Sequence, residues 1–293
     1  MSNKSFQTKF CLNLMFLSVL LVGGCAVEAA KEENKSGKNQ PKISALTESK
    51  NPPPVATIKI EPDSPADTVR VFYKNLREKK FREAMFLTNL RPAIEGLTDA
   101  ELKDLHVDFE PLAAQVPADI EINGEIISEN KATVTAKLPD VETDKISLQE
   151  IKLRRENGVW IIITVDETAE SEVKKESKNY FFTLRIKTHH EEAKKMLERV
   201  NKAQMVYAAQ NGGVFGDIPT LIGKGYLPQD ILTADSTGYN YQVQLSADKK
   251  KFAATATPAV YGKTGKLSFG FGASGSKTSS LKSRDTKGQA FKM

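Results

Sequence analysis

Apolar positions in this chain change their period three times, and each change predicts an element. From Val69 the spacing is helical, with Val69, Phe72, Tyr73 and Leu76 on one face. Ser64 can cap that helix, Pro65 suits its first position, and Asp67 stands where a capping-box acid would. Phe81, Ala84, Met85 and Leu87 continue the apolar face in a second short helix. Thr98 with Glu101 forms another capping box ahead of Leu102 and Leu105. The period then falls to two. Ile120 to Asn123 and Thr133 to Ala136 alternate, with Ser128-Glu129-Asn130-Lys131 as turn chemistry between them. Ile146 to Leu153 reads as a third strand, and Asn157-Gly158 as the tight turn into Val159-Trp160-Ile161-Ile162-Ile163. Helices followed by an antiparallel meander predict an α+β unit over residues 63–167.

Past this unit the pattern blurs. Asp166 to Asn179 is charged and contains only Ala169 and Val173 as apolar residues, too few for a core-facing stripe. Residues 168–188 are therefore expected to be a charged linker and a lead-in strand. The strand reading rests on Tyr180, Phe182, Leu184 and Ile186 alternating with Phe181, Thr183, Arg185 and Lys187; one continuous helix from about Lys178 is the alternative. Thr188-His189-His190-Glu191 has the form of a capping box. Ala193, Met196, Leu197, Val200, Ala203, Gln204 and Tyr207 then mark a helix face that Asn211-Gly212-Gly213 ends. Gly238 to Val243, Phe252 to Ala256 and Leu267 to Phe269 read as strands, with Asp248-Lys249-Lys250 as a hairpin loop. A second α+β unit, one helix followed by an antiparallel sheet, thus covers residues 189–293.

The first 62 residues belong to neither unit. Lys4 and Lys9 precede an apolar run from Phe10 to Val22, too short and wrongly flanked to span a membrane. The run ends in Val22-Gly23-Gly24-Cys25. This resembles the lipobox of bacterial lipoproteins, with Val22 in place of the commoner Leu. The resemblance implies that residues 1–24 are a removed signal peptide and that Cys25 is lipidated. Ala26 follows the cysteine instead of an Asp retention signal, which in a two-membrane bacterium implies the outer membrane of the cell envelope. Residues 25–62 lack aromatics and contain Pro52-Pro53-Pro54, the composition of a disordered tether.

Composition narrows the functional classes. The chain has 293 residues, 40% hydrophobic and 27% charged, which is room for two ordinary cores. Its net charge is +5, and loss of Lys4 and Lys9 with the signal lowers it to +3, too little to argue for nucleic acid. The two cysteines are Cys11, lost with the signal, and Cys25, used for lipid, so neither unit has a disulfide to rely on.

Two further resemblances bear on the folded units. Val69, Phe72, Tyr73, Leu76, Phe81 and Ala84, with Gly158-Val159-Trp160, resemble the cone-shaped fold of the nuclear-transport-factor-like superfamily over residues 63–167. Some members of that superfamily are isomerases or dehydratases, which need an Asp or His base and a Tyr or acid donor in the cone. Ala203-Gln204, Tyr207, Leu221, Gly225-Tyr226-Leu227, Gly238-Tyr239-Asn240-Tyr241, Phe252-Ala253-Ala254 and Phe269 resemble the globular head of type IV pilins and pseudopilins. The charged residues Arg185, Lys187, Glu191 and Glu192 stand where a pilin has an apolar helix half, so polymerisation by that route is not expected.

Candidate chemistry is sparse. Tyr73 reads as a core aromatic and His106 as an exposed helix-end or loop residue. His189 and His190 are adjacent, and neighbouring side chains on a helix do not face one site, so they read as an exposed helix start and no metal site is expected. Trp160 reads as a packing anchor. No catalytic residue or cofactor is assigned, and no ligand site. The expectation is a non-enzymatic envelope lipoprotein held on the membrane by its lipid, acting as a structural or interaction module with an envelope protein partner. The alternatives are a protein that binds a small apolar ligand in the cone and an isomerase- or hydratase-type enzyme.

Overall fold

Ser64 starts the first unit as its sequence directs. In the computed structural model, which describes residues 62–140 and 145–291, the Ser64 hydroxyl accepts from the Asp67 amide at 3.1 Å and opens α1 (Pro65–Arg77). The expected signal peptide, lipidated Cys25 and nearly all of the tether lie outside the described residues. Two short helices follow, α2 (Phe81–Phe86) and α3 (Arg91–Ile94). The reciprocal box of Thr98 and Glu101 then opens α4 (Asp99–Gln115).

Four antiparallel strands come next, β1 (Glu121–Ser128), β2 (Lys131–Pro139), β3 (Ile146–Glu156) and β4 (Val159–Ile162), adjacent in chain order. Asn157 and Gly158 both have positive φ, 50° and 85°, the backbone that a two-residue hairpin of right-handed twist requires. The even-numbered residues of β2, Ala132 to Leu138, face inward and are buried with Leu153, Trp160 and Ile162 against Val69, Phe72, Leu76 and Phe109. The molecule is α+β, helices on antiparallel sheets.

The stretch between the two expected units is not a linker. Asp166 caps α5 (Glu167–Glu176) by accepting from the Ala169 amide at 2.8 Å. Ala169 and Val173, one turn apart, are buried in the first core. A 3₁₀ turn at Ser177–Asn179 leads into α6 (Tyr180–Gln210), 31 residues and roughly 46 Å long. The expected strand at 180–187 does not form; these residues are the first two turns of α6. The helical stripe there is Phe181, Arg185 and His189, all buried, at a spacing of four. Two of its three members are polar, so the stripe is invisible to a hydrophobic pattern, and the accidental alternation of Tyr180 to Ile186 stands out instead. For the same reason Thr188 to Glu191 caps nothing, since it lies within the helix.

The C-terminal half of α6 packs Ala193, Met196, Leu197, Val200 and Ala203 on the second sheet. That sheet contains β5 (Tyr239–Leu245), β6 (Lys251–Pro258) and β7 (Ser268–Ser274), with β8 (Lys277–Thr278) and β9 (Lys282–Arg284) both pairing β7. Fully buried Gln204 donates to the Gly216 carbonyl at 2.6 Å and accepts from the Gly216 amide at 3.0 Å. This returns the chain to the helix before α7 (Ile218–Gly223). The buried apolar side chains form two clusters, one drawn from residues 66–181 and the other from 193–273. α6 runs through both.

Candidate functional site

The residues that sequence reasoning singled out in the first unit do not come together. Tyr73 is buried with its ring edge-on to Phe72 at 5.0 Å, and burial pushes its phenol up, so it stays protonated. His106 lies in the middle of α4, not at a helix end, and packs edge-on to Phe81 at 5.0 Å. The Arg155 guanidinium lies over the Trp160 indole at 5.7 Å, and the indole itself is core. Side chains from the helices and the sheet meet in one apolar cluster between them.

Two polar clusters went unread in the sequence. The first centres on Glu170, only 5% exposed on α5. Arg154 on β3 donates to both of its carboxylate oxygens at 2.7 Å, Lys174 approaches at 2.6 Å, and the Asn89 amide donates at 3.2 Å. The Arg154 hydrogen bonds lead in lowering its pKa to about 2, against the opposing effect of burial. Asn89 also donates to the Val165 carbonyl at 2.8 Å and accepts from Thr164, which ties the end of β4 to the loop before α3. The spacing of Glu170 and Lys174 was the only available signal, and it reads as an ordinary surface pair.

The second cluster lies in the N-terminal half of α6. Arg185 is buried and pairs with Asp108 and Asp104 of α4, donating to the Asp104 carbonyl at 2.8 Å. One turn on, His189 contacts the Thr264 carbonyl at 2.9 Å, and His190 accepts from the Lys266 and Leu267 amides at 3.2 and 3.3 Å. Neither histidine sits at the exposed helix start expected of it. Nearer the helix N-terminus, a groove between α5 and α6 is lined by Glu172, Lys175, Glu176, Tyr180, Thr183 and Lys187, with Lys187 3.7 Å from Glu172.

The outer face of the second sheet is polar. The register turns Asn240, Gln242 and Gln244 of β5 outward beside Ala253, Thr255 and Thr257 of β6 and Gly270 and Gly272 of β7. Its centre on β5 and β6 is uncharged, while Lys251 stands at its end and Lys277, Lys282 and Arg284 of β8 and β9 line its far edge. Residues 189–293 carry 15 basic and 8 acidic side chains, and on this face the basic ones are confined to its margin.

No helix among the described residues is long and apolar enough to cross a membrane. No protein-family model matches the chain, and no curated protein matches it. Among solved structures, one from Campylobacter jejuni described as an NTF2-like transpeptidase is 18% identical, over 34% of this chain and 96% of that one, with a TM-score of 0.24. A likeness at that score carries no weight for fold or activity.

Proposed function

We propose that the protein is a membrane-anchored envelope lipoprotein whose two units act as a non-enzymatic interaction module, with the outer face of the second sheet as its contact surface. The observation that carries this reading is the row of amides, hydroxyls and glycines at the centre of that face, bordered by Lys251, Lys277, Lys282 and Arg284. Amides and hydroxyls can exchange water for a partner's hydrogen bonds at small cost, whereas charges resist desolvation. Tyr73 and His106, the residues an isomerase would need, are packed separately against Phe72 and Phe81, which weighs against the isomerase alternative. Anchoring rests on Val22-Gly23-Gly24-Cys25, and a tether over 26–61 would give the folded part a reach of up to about 120 Å.

Anchoring is tested by fractionation and intact mass. Wild type should sediment with membranes and carry acyl mass, while Cys25→Ser should be soluble without it. A wild type lacking acyl mass, or a variant that still sediments, removes the lipid anchor from the proposal. The contact face is tested by in-cell crosslinking: Gln242→Glu with Thr255→Glu should abolish a defined crosslinked species while leaving the circular dichroism spectrum unchanged. Persistence of that species in the double variant overturns the assignment of this face.

A further inference from the structure

The adjacent histidines of α6 turn to one loop. Thr264 offers His189 a carbonyl, which can only accept, so Nδ1 of His189 carries the proton and donates. Lys266 and Leu267 offer His190 two backbone amides, which can only donate, so Nε2 of His190 is unprotonated. The site is shaped around these rings. His189 is 8% exposed and lies against Gly238, which has φ +70°; a Cβ there would overlap the imidazole. His190 stands edge-on to Phe269 at 5.5 Å and Tyr239 at 6.2 Å. The same loop reaches the first unit through Lys263, 3.2 Å from Asp104 of α4.

We propose that His189 and His190 form an acid-released latch that holds the 260–267 loop to α6 at neutral pH and lets it go as the imidazoles take up protons. The chemistry is simplest at His190. A proton on Nε2 turns an acceptor of two backbone hydrogen bonds into a donor facing two donors, and both bonds are lost. At His189 the Thr264 bond survives protonation, but a cation then sits in a buried site beside the Arg185 guanidinium.

The charges around the latch act in the same direction with three exceptions. Burial, helped by Arg185 and His190 on its own helix and opposed by the Thr264 hydrogen bond and Glu192, lowers the pKa of His189 to about 4. Burial likewise lowers that of His190, helped by Lys194 on the helix and Lys266 on the loop, with Glu191 opposing. From α4, Asp104 and Asp108 are paired with Arg185. Asp108 is the third exception, since burial raises its carboxyl and its own protonation favours the folded form in acid. For the histidines, a folded pKa below the ordinary value near 6.5 means that their contribution is complete above that pH. It is lost progressively as the pH falls toward the folded value.

Amide hydrogen exchange on the full chain tests the latch. After correction for intrinsic rates, protection at the Lys266 and Leu267 amides should fall about 30-fold between pH 7.5 and 5, the effect of His189 alone. The double variant His189→Asn, His190→Gln keeps a donor and an acceptor in place but cannot titrate, and its protection should change less than about threefold. Unchanged protection in wild type, or an equal fall in the variant, overturns the latch. A parallel loss at Val134 in β2 would mean acid unfolding of the whole chain and also overturns it. If the variant does not fold, imidazole titration by NMR in wild type decides. Both rings should titrate below the ordinary imidazole value, and a value at or above it for either ring overturns the proposal.

Discussion

Beside its buried Ala169 and Val173, α5 is fastened to the first sheet by a charge pair, whereas the 260–267 loop is held to α6 by two uncharged imidazoles. Both attachments bury polar groups, and both satisfy them with partners far away in sequence. They differ in their response to acid. The depressed pKa of Glu170 means that its contribution is complete above the ordinary carboxylate value of 4.5 and disappears as the pH falls toward 2. The histidines begin to lose theirs below about 6.5. Between these values one attachment is intact while the other loosens, so one chain carries two fastenings with separate pH windows.

The largest effect that could break this comparison is the loss of α5 altogether. Fragment 63–167 lacks Ala169, Val173, Tyr180 and Phe181, all members of the first core. Each large apolar side chain contributes roughly 1.5–3 kcal/mol, against a domain stability of about 5–15 kcal/mol. The fragment should show no cooperative melt by calorimetry, and extension to residue 192 should restore one. A cooperative melt of 63–167 would make α5 a peripheral helix and its charge pair an ornament.

A smaller effect sharpens the electrostatic half. Glu170→Gln leaves Arg154 without its bidentate partner and should lower stability by roughly 3 kcal/mol at pH 7, read from the urea midpoint. The difference from wild type should stay level down to about pH 4.5 and shrink below it. A difference that closes already between pH 6.5 and 5 would mean that the two fastenings are not separate.

The smallest effect concerns the hinge between α5 and α6. Ser177 has φ +49° and ψ −131°, a backbone region that glycine occupies with little strain and other residues do not. Ser177→Gly should raise stability by about 1 kcal/mol despite the loss of the hydroxyl's 3.2 Å bond to the Pro92 carbonyl. An unchanged or lowered melting temperature would show that this bond outweighs the strain.

Much of the architecture could be read from the chain because it depends on neighbours. Caps at Ser64 and Thr98, the Asn157-Gly158 turn, the alternation of β2 and the face of α6 from Ala193 onward all involve residues within a few positions of one another. Local backbone chemistry and apolar period therefore determined the α+β class and the order of most elements. What the tertiary structure alone decided was the fate of polar side chains on buried faces. Glu170, Arg185, His189 and His190 all read as surface residues, because burying a charge or an imidazole is costly unless a partner is present. Those partners are distant in sequence: Asn89 is 81 residues from Glu170, Asp108 is 77 from Arg185, and Thr264 is 75 from His189. No periodicity spans such a distance, so the continuous helix through Arg185 and the two fastenings beside it exist only once the chain has folded.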